Sequence, residues 1–180
     1  MSTAVITSEA MPPLDRANGP LHTLSLYVNN KPGVLVRVAL VFSRRGYNIE
    51  SLVVSPSAQG DFSRMTITCS GAPDTLEQII KQLAKLVDVV HAIDHTGDAS
   101  YETEIALVKL ACSMSERTEI LQVAEHFSAK VVDYGASSLM LRVYGSSEKV
   151  DAFIGLLRPF GIVELVRSGK ILMARGGDTT

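Results

Sequence analysis

The strongest candidate for chemistry in this sequence is a turn at Pro32-Gly33, between an apolar strand pattern and a helix pattern. Pro32 has no N–H to donate to a sheet, so it ends the strand. Gly33 permits a positive φ and leaves room for a ligand or another backbone. The unpaired N–H groups of the following helix start are suited to a carboxylate. With the amides of Asn30 and Asn48 on either side, the residues predict a small-anion pocket. An ordinary strand–turn–helix without a ligand remains the alternative.

Other patterns predict no catalytic or metal site. The sequence has no nucleophile elbow, dinucleotide-binding glycine motif or P-loop. His91 and His95 follow a strand pattern, on which they could align, but no Cys or carboxylate completes a set of metal ligands. Asp133 and Glu164 are single carboxylates in strand contexts, without a visible acid–base partner. We therefore expect no catalytic residues, no metal and no cofactor on this chain.

Composition excludes several classes of partner. The 180 residues carry a formal net charge of −2, which gives no electrostatic reason to bind nucleic acid or an anionic membrane. Apolar runs are too short for a membrane span, and the first 20 residues lack the pattern of a secretory signal. Cys69 and Cys112 lie far apart in apolar strands, which is typical of buried thiols in a reducing cytoplasm. We expect a cytoplasmic protein.

The elements that position the turn follow in the order βαββαβ. Residues 22–28 alternate as a half-buried strand, and residues 34–45 form a helix ended by Gly46. In this helix we predict a core stripe of Leu35, Val38, Ala39 and Phe42, with Val36 and Leu40 facing outward. Strands 49–55 and 62–70 form a hairpin, and a helix at 75–86 precedes a strand at 87–93.

The same order of elements recurs in residues 105–166, without close sequence similarity to the first half. The predicted fold is α+β, with two ferredoxin-like βαββαβ domains, each an antiparallel sheet with two helices on one face. We assign residues 1–20 to a flexible tail, 21–96 to the first domain and 100–175 to the second.

The turn and its surroundings resemble a known family. The runs Asn30-Lys31-Pro32-Gly33-Val34-Leu35 and Phe42-Ser43-Arg44-Arg45-Gly46-Tyr47-Asn48-Ile49-Glu50-Ser51-Leu52 are similar to the ACT domain of the small, regulatory subunit of acetohydroxyacid synthase (acetolactate synthase). Further matches are Ser63 to Ile67 and Glu104 to Lys109, and the resemblance spans about residues 21–175. Its motifs are more specific in the first half.

The resemblance implies a non-catalytic subunit that binds and activates a catalytic large subunit and confers feedback inhibition by valine. Thiamine diphosphate, Mg²⁺ and FAD would belong to that partner. The resemblance also implies a homodimer through ACT domains. The effector site it implies consists of Asn30, Gly33, Val34, Leu35, Asn48 and Ile49. A free-standing amino-acid sensor without a catalytic partner is the competing function. The sequence does not say which branched-chain amino acid is preferred.

Overall fold

The computed structural model describes residues 20–177 and 180, so most of the predicted flexible tail at 1–20 lies outside the described residues. The chain forms two compact units. The first unit comprises residues 20–102 together with 169–177 and 180, and the second comprises residues 103–168. The predicted domain at 100–175 includes residues 169–175, which cluster with the first unit.

The first unit contains a four-stranded antiparallel sheet in the order β2-β3-β1-β4. Its elements follow the predicted order: β1 Leu21–Asn29, α1 Val34–Ser43, β2 Asn48–Pro56, β3 Phe62–Ser70, α2 Pro73–Leu83 and β4 Val89–Asp94. Both β1 and β2 run antiparallel to β3, so they point in the same direction and α1 is the crossover between them. This is the predicted ferredoxin-like arrangement.

Alternation along β1 and β3 places one apolar face against the two helices. The core is made of fully or nearly fully buried side chains, among them Leu24, Leu26, Ile67, Ile79 and Leu83. Burial of these aliphatic groups, at about 25 cal/mol per Å² of apolar area, is the main favourable contribution to the stability of the unit.

The predicted core stripe of α1 is wrong in one respect. Val34, Val38, Val41 and Phe42 are buried, whereas Leu35 is 42% exposed. The buried stripe is therefore rotated by about one residue from the prediction. Because successive helical residues are separated by 100°, an almost entirely apolar helix does not reveal which neighbouring positions face the sheet. Leu35 instead joins Val36 and Leu40 on the outward surface, where those two were predicted.

A C-terminal segment, defined here as residues 169–177, belongs to the first unit. Gly169 adopts φ +79°, and a Cβ there would lie 2.8 Å from the Cβ of Ser51 on β2. Lys170 donates to Glu102 at 2.6 Å and to the Thr23 hydroxyl at 3.4 Å. These contacts hold the segment against β1 and β2.

The second unit repeats the topology with the strand order β6-β7-β5-β8. Its elements are β5 Tyr101–Ala111, α3 Arg117–His126, β6 Lys130–Tyr134, β7 Ser138–Gly145, α4 Ser147–Leu157 and β8 Ile162–Arg167. A 3-10 helix at Arg158–Phe160 precedes β8. The last strand, β9 Ile171–Met173, lies in the C-terminal segment. The core of this unit is formed by residues such as Leu110, Ile120, Leu141 and Phe153. No helix in the described part of the chain is long and apolar enough to span a membrane.

Hydrogen bonds between Ser113 and Glu116 organise the turn that precedes α3. Glu116 accepts hydrogen bonds from both the N–H and the hydroxyl of Ser113, at 2.7 and 2.6 Å. The Glu116 carboxylate thus satisfies a backbone N–H in the turn before α3; Glu116 itself is the N-cap position, and no side chain caps this helix. These hydrogen bonds hold the pKa of Glu116 below its usual value.

Candidate effector site

The predicted turn has the geometry that the sequence indicated. Gly33 is the N-cap residue of α1 with φ +82°, a left-handed conformation that favours glycine. No side chain caps this helix, and its first turn contains no acidic residue. The N–H of Val34 donates to the carbonyl oxygen of Lys31 at 3.4 Å. Helix geometry leaves the next N–H groups of the first turn without a carbonyl one turn back, so these are suited to an anion.

The neighbouring predicted residues surround this turn. Asn30 is exposed; its N–H donates to Asp61 at 2.8 Å, and its side-chain amide lies 3.5 Å from the carbonyl oxygen of Gly60. Val34 is 3% exposed and belongs to the core, whereas Leu35 is on the surface. Asn30, Gly33 and Leu35 are therefore available to a ligand, and Val34 contributes only its backbone.

The other predicted residues, Asn48 and Ile49, begin β2. Asn48 is exposed and its amide donates to Glu50 at 2.8 Å. Ile49 is half-buried against the core. They line an open cleft of about 440 Å³ together with Ala39, Phe42, Ser43, Gly46 and Tyr47. The apolar part of its lining, Ala39, Phe42 and Ile49, lies next to the Asn48 amide, and about half of the exposed lining is polar.

Within one chain, the two halves of the predicted site do not meet. Asn29 pairs with Phe62 at the start of β3, whereas Asn48 pairs with Ser70 at its end. Eight residues of strand separate these positions, which is about 27 Å at 3.4 Å per residue. The expectation that Asn30 and Asn48 reach the same ligand is therefore wrong for a single chain. The physical reason is that α1 carries the backbone from one end of the sheet to the other.

Arg37 is a residue at the turn that the sequence analysis did not assign to the site. A Cβ at Gly33 would lie 3.2 Å from the Nη1 atom of Arg37. The other terminal nitrogen donates to Asp88 at 2.6 Å. The spacing of four residues between Gly33 and Arg37 was a visible signal, since such residues are neighbours on a helix. The partner Asp88 is far away in sequence and gave no signal.

A second cleft, of about 590 Å³, lies on the other side of Tyr47. Tyr47 donates to the carbonyl oxygen of Ala72, and its ring fills the space above Gly71, where a Cβ would lie 2.3 Å from the ring. Burial raises the pKa of Tyr47 above its usual value. Tyr47 is thus a fixed wall between the two clefts, and both have Asn48 in their lining.

The two histidines considered as metal ligands have other partners. His91 stacks on Tyr27 with 5.3 Å between ring centroids. His95 is buried, bonds the Ser25 hydroxyl at 2.8 Å and lies 3.3 Å from Asp98. Among residues 20–177 and 180, no group of three His, Cys, Asp or Glu side chains is arranged to hold a metal ion.

The chain is similar in sequence and in structure to known proteins. The chain is 45% identical over 161 residues to the acetolactate synthase small subunit of Mycolicibacterium smegmatis, covering 89% of this chain and 95% of that protein. It is 47% identical over 159 residues to a probable acetolactate synthase small subunit of Methanothermobacter thermautotrophicus, covering 88% and 95%. The crystal structure of the Thermotoga maritima small subunit aligns with a TM-score of 0.79 at 37% identity, covering 88% of this chain and 99% of that one.

Fold and site together define an α+β chain of two ferredoxin-like, ACT-type repeats. Residues 24–91 match the family described as the AHAS small subunit-like ACT domain, and residues 103–176 match the small subunit of acetolactate synthase. The chain belongs to the family of small, regulatory and non-catalytic subunits of acetolactate synthase. Membership implies a catalytic large subunit as its partner.

Proposed function

We propose that this chain, in the cytoplasm, binds the catalytic subunit of acetolactate synthase, raises its activity and confers feedback inhibition by valine. In this proposal thiamine diphosphate, Mg²⁺ and FAD are held by the catalytic subunit. That subunit condenses two pyruvates to 2-acetolactate, or pyruvate with 2-oxobutyrate. The observation that carries the effector part of the proposal is the separation of Gly33 and Asn48 at opposite ends of one sheet, which makes the site incomplete without a second chain.

A homodimer through the first unit would complete the site. Strand β2 is an edge strand, so its outer N–H and C=O groups are available to a second copy. Two β2 strands related by a two-fold axis run antiparallel. That pairing brings the Gly33 end of one chain to the Asn48 end of the other and forms two equivalent sites.

Exposed apolar side chains support this choice of edge. Val36 is 62% exposed and Leu40 is 44% exposed on α1, which contacts β2. Val54 on β2 is 43% exposed. Apolar side chains grouped at one edge are typical of an interface, whereas scattered single ones are not.

The chemistry of the two ends suits a branched-chain amino acid. The effector carboxylate would bind at the start of α1, where N–H groups and the helix dipole favour an anion. The side chain of the effector would enter the apolar cleft beside Ala39, Phe42 and Ile49 of the second copy. Such a cleft separates valine, leucine and isoleucine by only about 1–3 kcal/mol, so valine is one choice within a class.

Binding and inhibition would be linked as an allosteric coupling free energy. If valine weakens the activating interaction with the catalytic subunit, the catalytic subunit weakens valine binding by the same factor. This reciprocity gives a quantitative check, because valine affinity can be measured with and without the partner.

Calorimetry of the purified chain against valine, leucine and isoleucine tests the effector site, and sedimentation tests the dimer. Titration of the reconstituted enzyme with valine tests feedback. The proposal expects saturable binding by a dimer, activation of the catalytic subunit and inhibition by valine. No acetolactate should form from pyruvate when the purified chain alone is supplied with the three cofactors.

A pull-down from the native cell separates the proposal from a free-standing sensor. Co-purification of the catalytic subunit supports the proposal. Effector binding by a chain that neither captures nor activates a catalytic subunit would favour the sensor. Absence of any binding to the three amino acids would refute the effector part of the proposal.

A further inference from the structure

Arg37 occupies a position at the effector turn that calls for a chemical role. It lies one turn after Gly33, and its N–H donates to the carbonyl oxygen of Gly33 at 3.1 Å. Its guanidinium folds back toward the helix start, because Nη1 is 3.2 Å from the position of a Cβ on Gly33. The cation therefore lies at the same end of α1 as the free N–H groups.

Asp88 fixes this orientation. Its Oδ2 accepts from Nη2 of Arg37 at 2.6 Å, and its side chain is 12% exposed, against 46% for Arg37. The backbone around Asp88 is held as well, since its carbonyl oxygen accepts from the N–H of Asn29 at 2.8 Å. A cation anchored at one nitrogen loses less side-chain entropy when another nitrogen binds a ligand.

The location is electrostatically unfavourable for a cation without an anion. The N-terminal end of a helix carries a partial positive charge, so a carboxylate is the group normally favoured there. The first turn of α1 contains no acidic residue, and Asp88 is the counter-charge that the ion pairs of the described residues give to Arg37. Donors of the helix start and of the Arg37 guanidinium thus converge beside Gly33, while Asp88 compensates the charge of Arg37.

We infer that Arg37 is a direct ligand of the effector carboxylate, held in position by Asp88. The inference rests on the proposed effector function and adds a specific side-chain contact to it. The carboxylate would lie between the first-turn N–H groups of α1 and the guanidinium, and Gly33 would leave both accessible. The opposing possibility is that Arg37 only neutralises Asp88.

The test compares valine with valinamide, which has the same side chain and amine but no carboxylate charge. Calorimetry, or competition against labelled valine where binding is weak, is performed on the full-length dimer of the wild type and of Arg37→Met, Arg37→Lys and Arg44→Met. Arg44 is a matched control, because it is an exposed arginine at the other end of the same helix. The double variant Arg37→Met/Asp88→Asn controls for the carboxylate left unpaired at Asp88.

The inference predicts that Arg37→Met weakens valine binding at least ~10-fold, since hydrogen bonds to charged groups are among the stronger ones. Arg37→Lys should lose less, the double variant should remain weak, and Arg44→Met should match the wild type. Valinamide should bind the wild type more weakly than valine and should not be weakened further by Arg37→Met.

Four results would overturn the inference. Unchanged valine affinity in folded, dimeric Arg37→Met would exclude the contact. Equal losses for valine and valinamide would assign Arg37 a structural role, as would recovery of valine affinity in the double variant. Failure of the wild type to bind any branched-chain amino acid would remove the proposed effector function and this contact together, whereas the first three outcomes leave the proposed function intact.

Discussion

Mixed dimers of two variants that are each defective in valine binding provide the sharpest test of a site shared between chains. Gly33→Asp places a carboxylate where the effector anion is expected, within reach of Arg37 Nη1, which lies 3.2 Å from the position that a Cβ would take on Gly33. It also imposes a left-handed conformation on a residue with a side chain, at a cost of about 1–2 kcal/mol. Asn48→Ala removes a side-chain amide from the other half of the site. Each homodimer should therefore have two damaged sites.

The magnitudes follow from the contacts. A hydrogen bond to a charged group contributes about 1.5–3 kcal/mol. Asn48 already donates to Glu50 at 2.8 Å in the free chain, so binding exchanges one carboxylate for another. We therefore expect the lower end of the range, or roughly a 10-fold loss of valine affinity for Asn48→Ala. Gly33→Asp should lose more, because its carboxylate competes with the ligand for the same donors.

In a dimer containing one chain of each variant, both substitutions fall in the same site. The second site then has Gly33 and Asn48 unchanged and should bind as in the wild type. Random exchange makes about half of the dimers mixed, so about a quarter of all sites should recover wild-type affinity under two-fold symmetry. Calorimetry of the one-to-one mixture measures this fraction, and native mass spectrometry of differently tagged chains establishes that exchange occurred. Complete exchange without any high-affinity sites would refute the shared site. Gly33 and Asn48 would then contribute to a site within a single chain, or at least one of them would lie outside the effector site.

Other predictions concern stability, reactivity and the division between units. Ser113→Ala should slightly lower the midpoint of thermal or urea unfolding, because it removes the hydroxyl that donates to Glu116 at 2.6 Å. Because the folded state lowers the pKa of Glu116, the ionised carboxylate stabilises the fold above its unfolded pKa, and this stabilisation is lost as the pH falls through the folded pKa. The free energy of unfolding of Glu116→Ala should therefore be lower than that of the wild type at pH 7, and the two values should converge in acid. Burial, with smaller effects of nearby carboxylates, raises the pKa of Cys69 to about 12, so a Cys112→Ser chain should resist iodoacetamide at pH 8 until it is unfolded; rapid labelling of the native chain would contradict this. A chain with a short Gly/Ser linker in place of residues 103–168 should keep wild-type valine affinity while losing activation of the catalytic subunit, and weak valine binding by this folded dimer would oppose the assignment of the site to the first unit.

The sequence was sufficient for the fold because its periodic patterns were unambiguous in most elements. In helix α4, Ser147–Leu157, apolar residues recur at helical spacing, and all four of them, Val150, Phe153, Ile154 and Leu157, are buried. The pattern was less informative in α1, where Leu35 was assigned to the core and is exposed.

The candidate site was only half accessible to sequence reasoning. The conformation of Gly33 followed from residue type, because Pro-Gly before a helix strongly restricts the backbone. Asn30 and Asn48 flank the ten-residue crossover helix α1, so their placement at opposite ends of the sheet could have been inferred. The ion pair of Arg37 with Asp88 joins residues 51 positions apart and requires the tertiary fold.

The return of the C-terminal segment to the first unit has a consequence for how the chain folds during synthesis. Lys170 contacts Thr23 across 147 residues, so this part of the first unit cannot close until residue 170 has left the ribosome. The intervening residues 103–168 form a guest domain within a host, and they can fold before the host is finished. Contacts of such long sequence separation slow folding, since loop closure must precede the gain from contact. We expect nascent chains that end before Gly169 to expose strands β1 and β2 and to depend on chaperones more than the released protein.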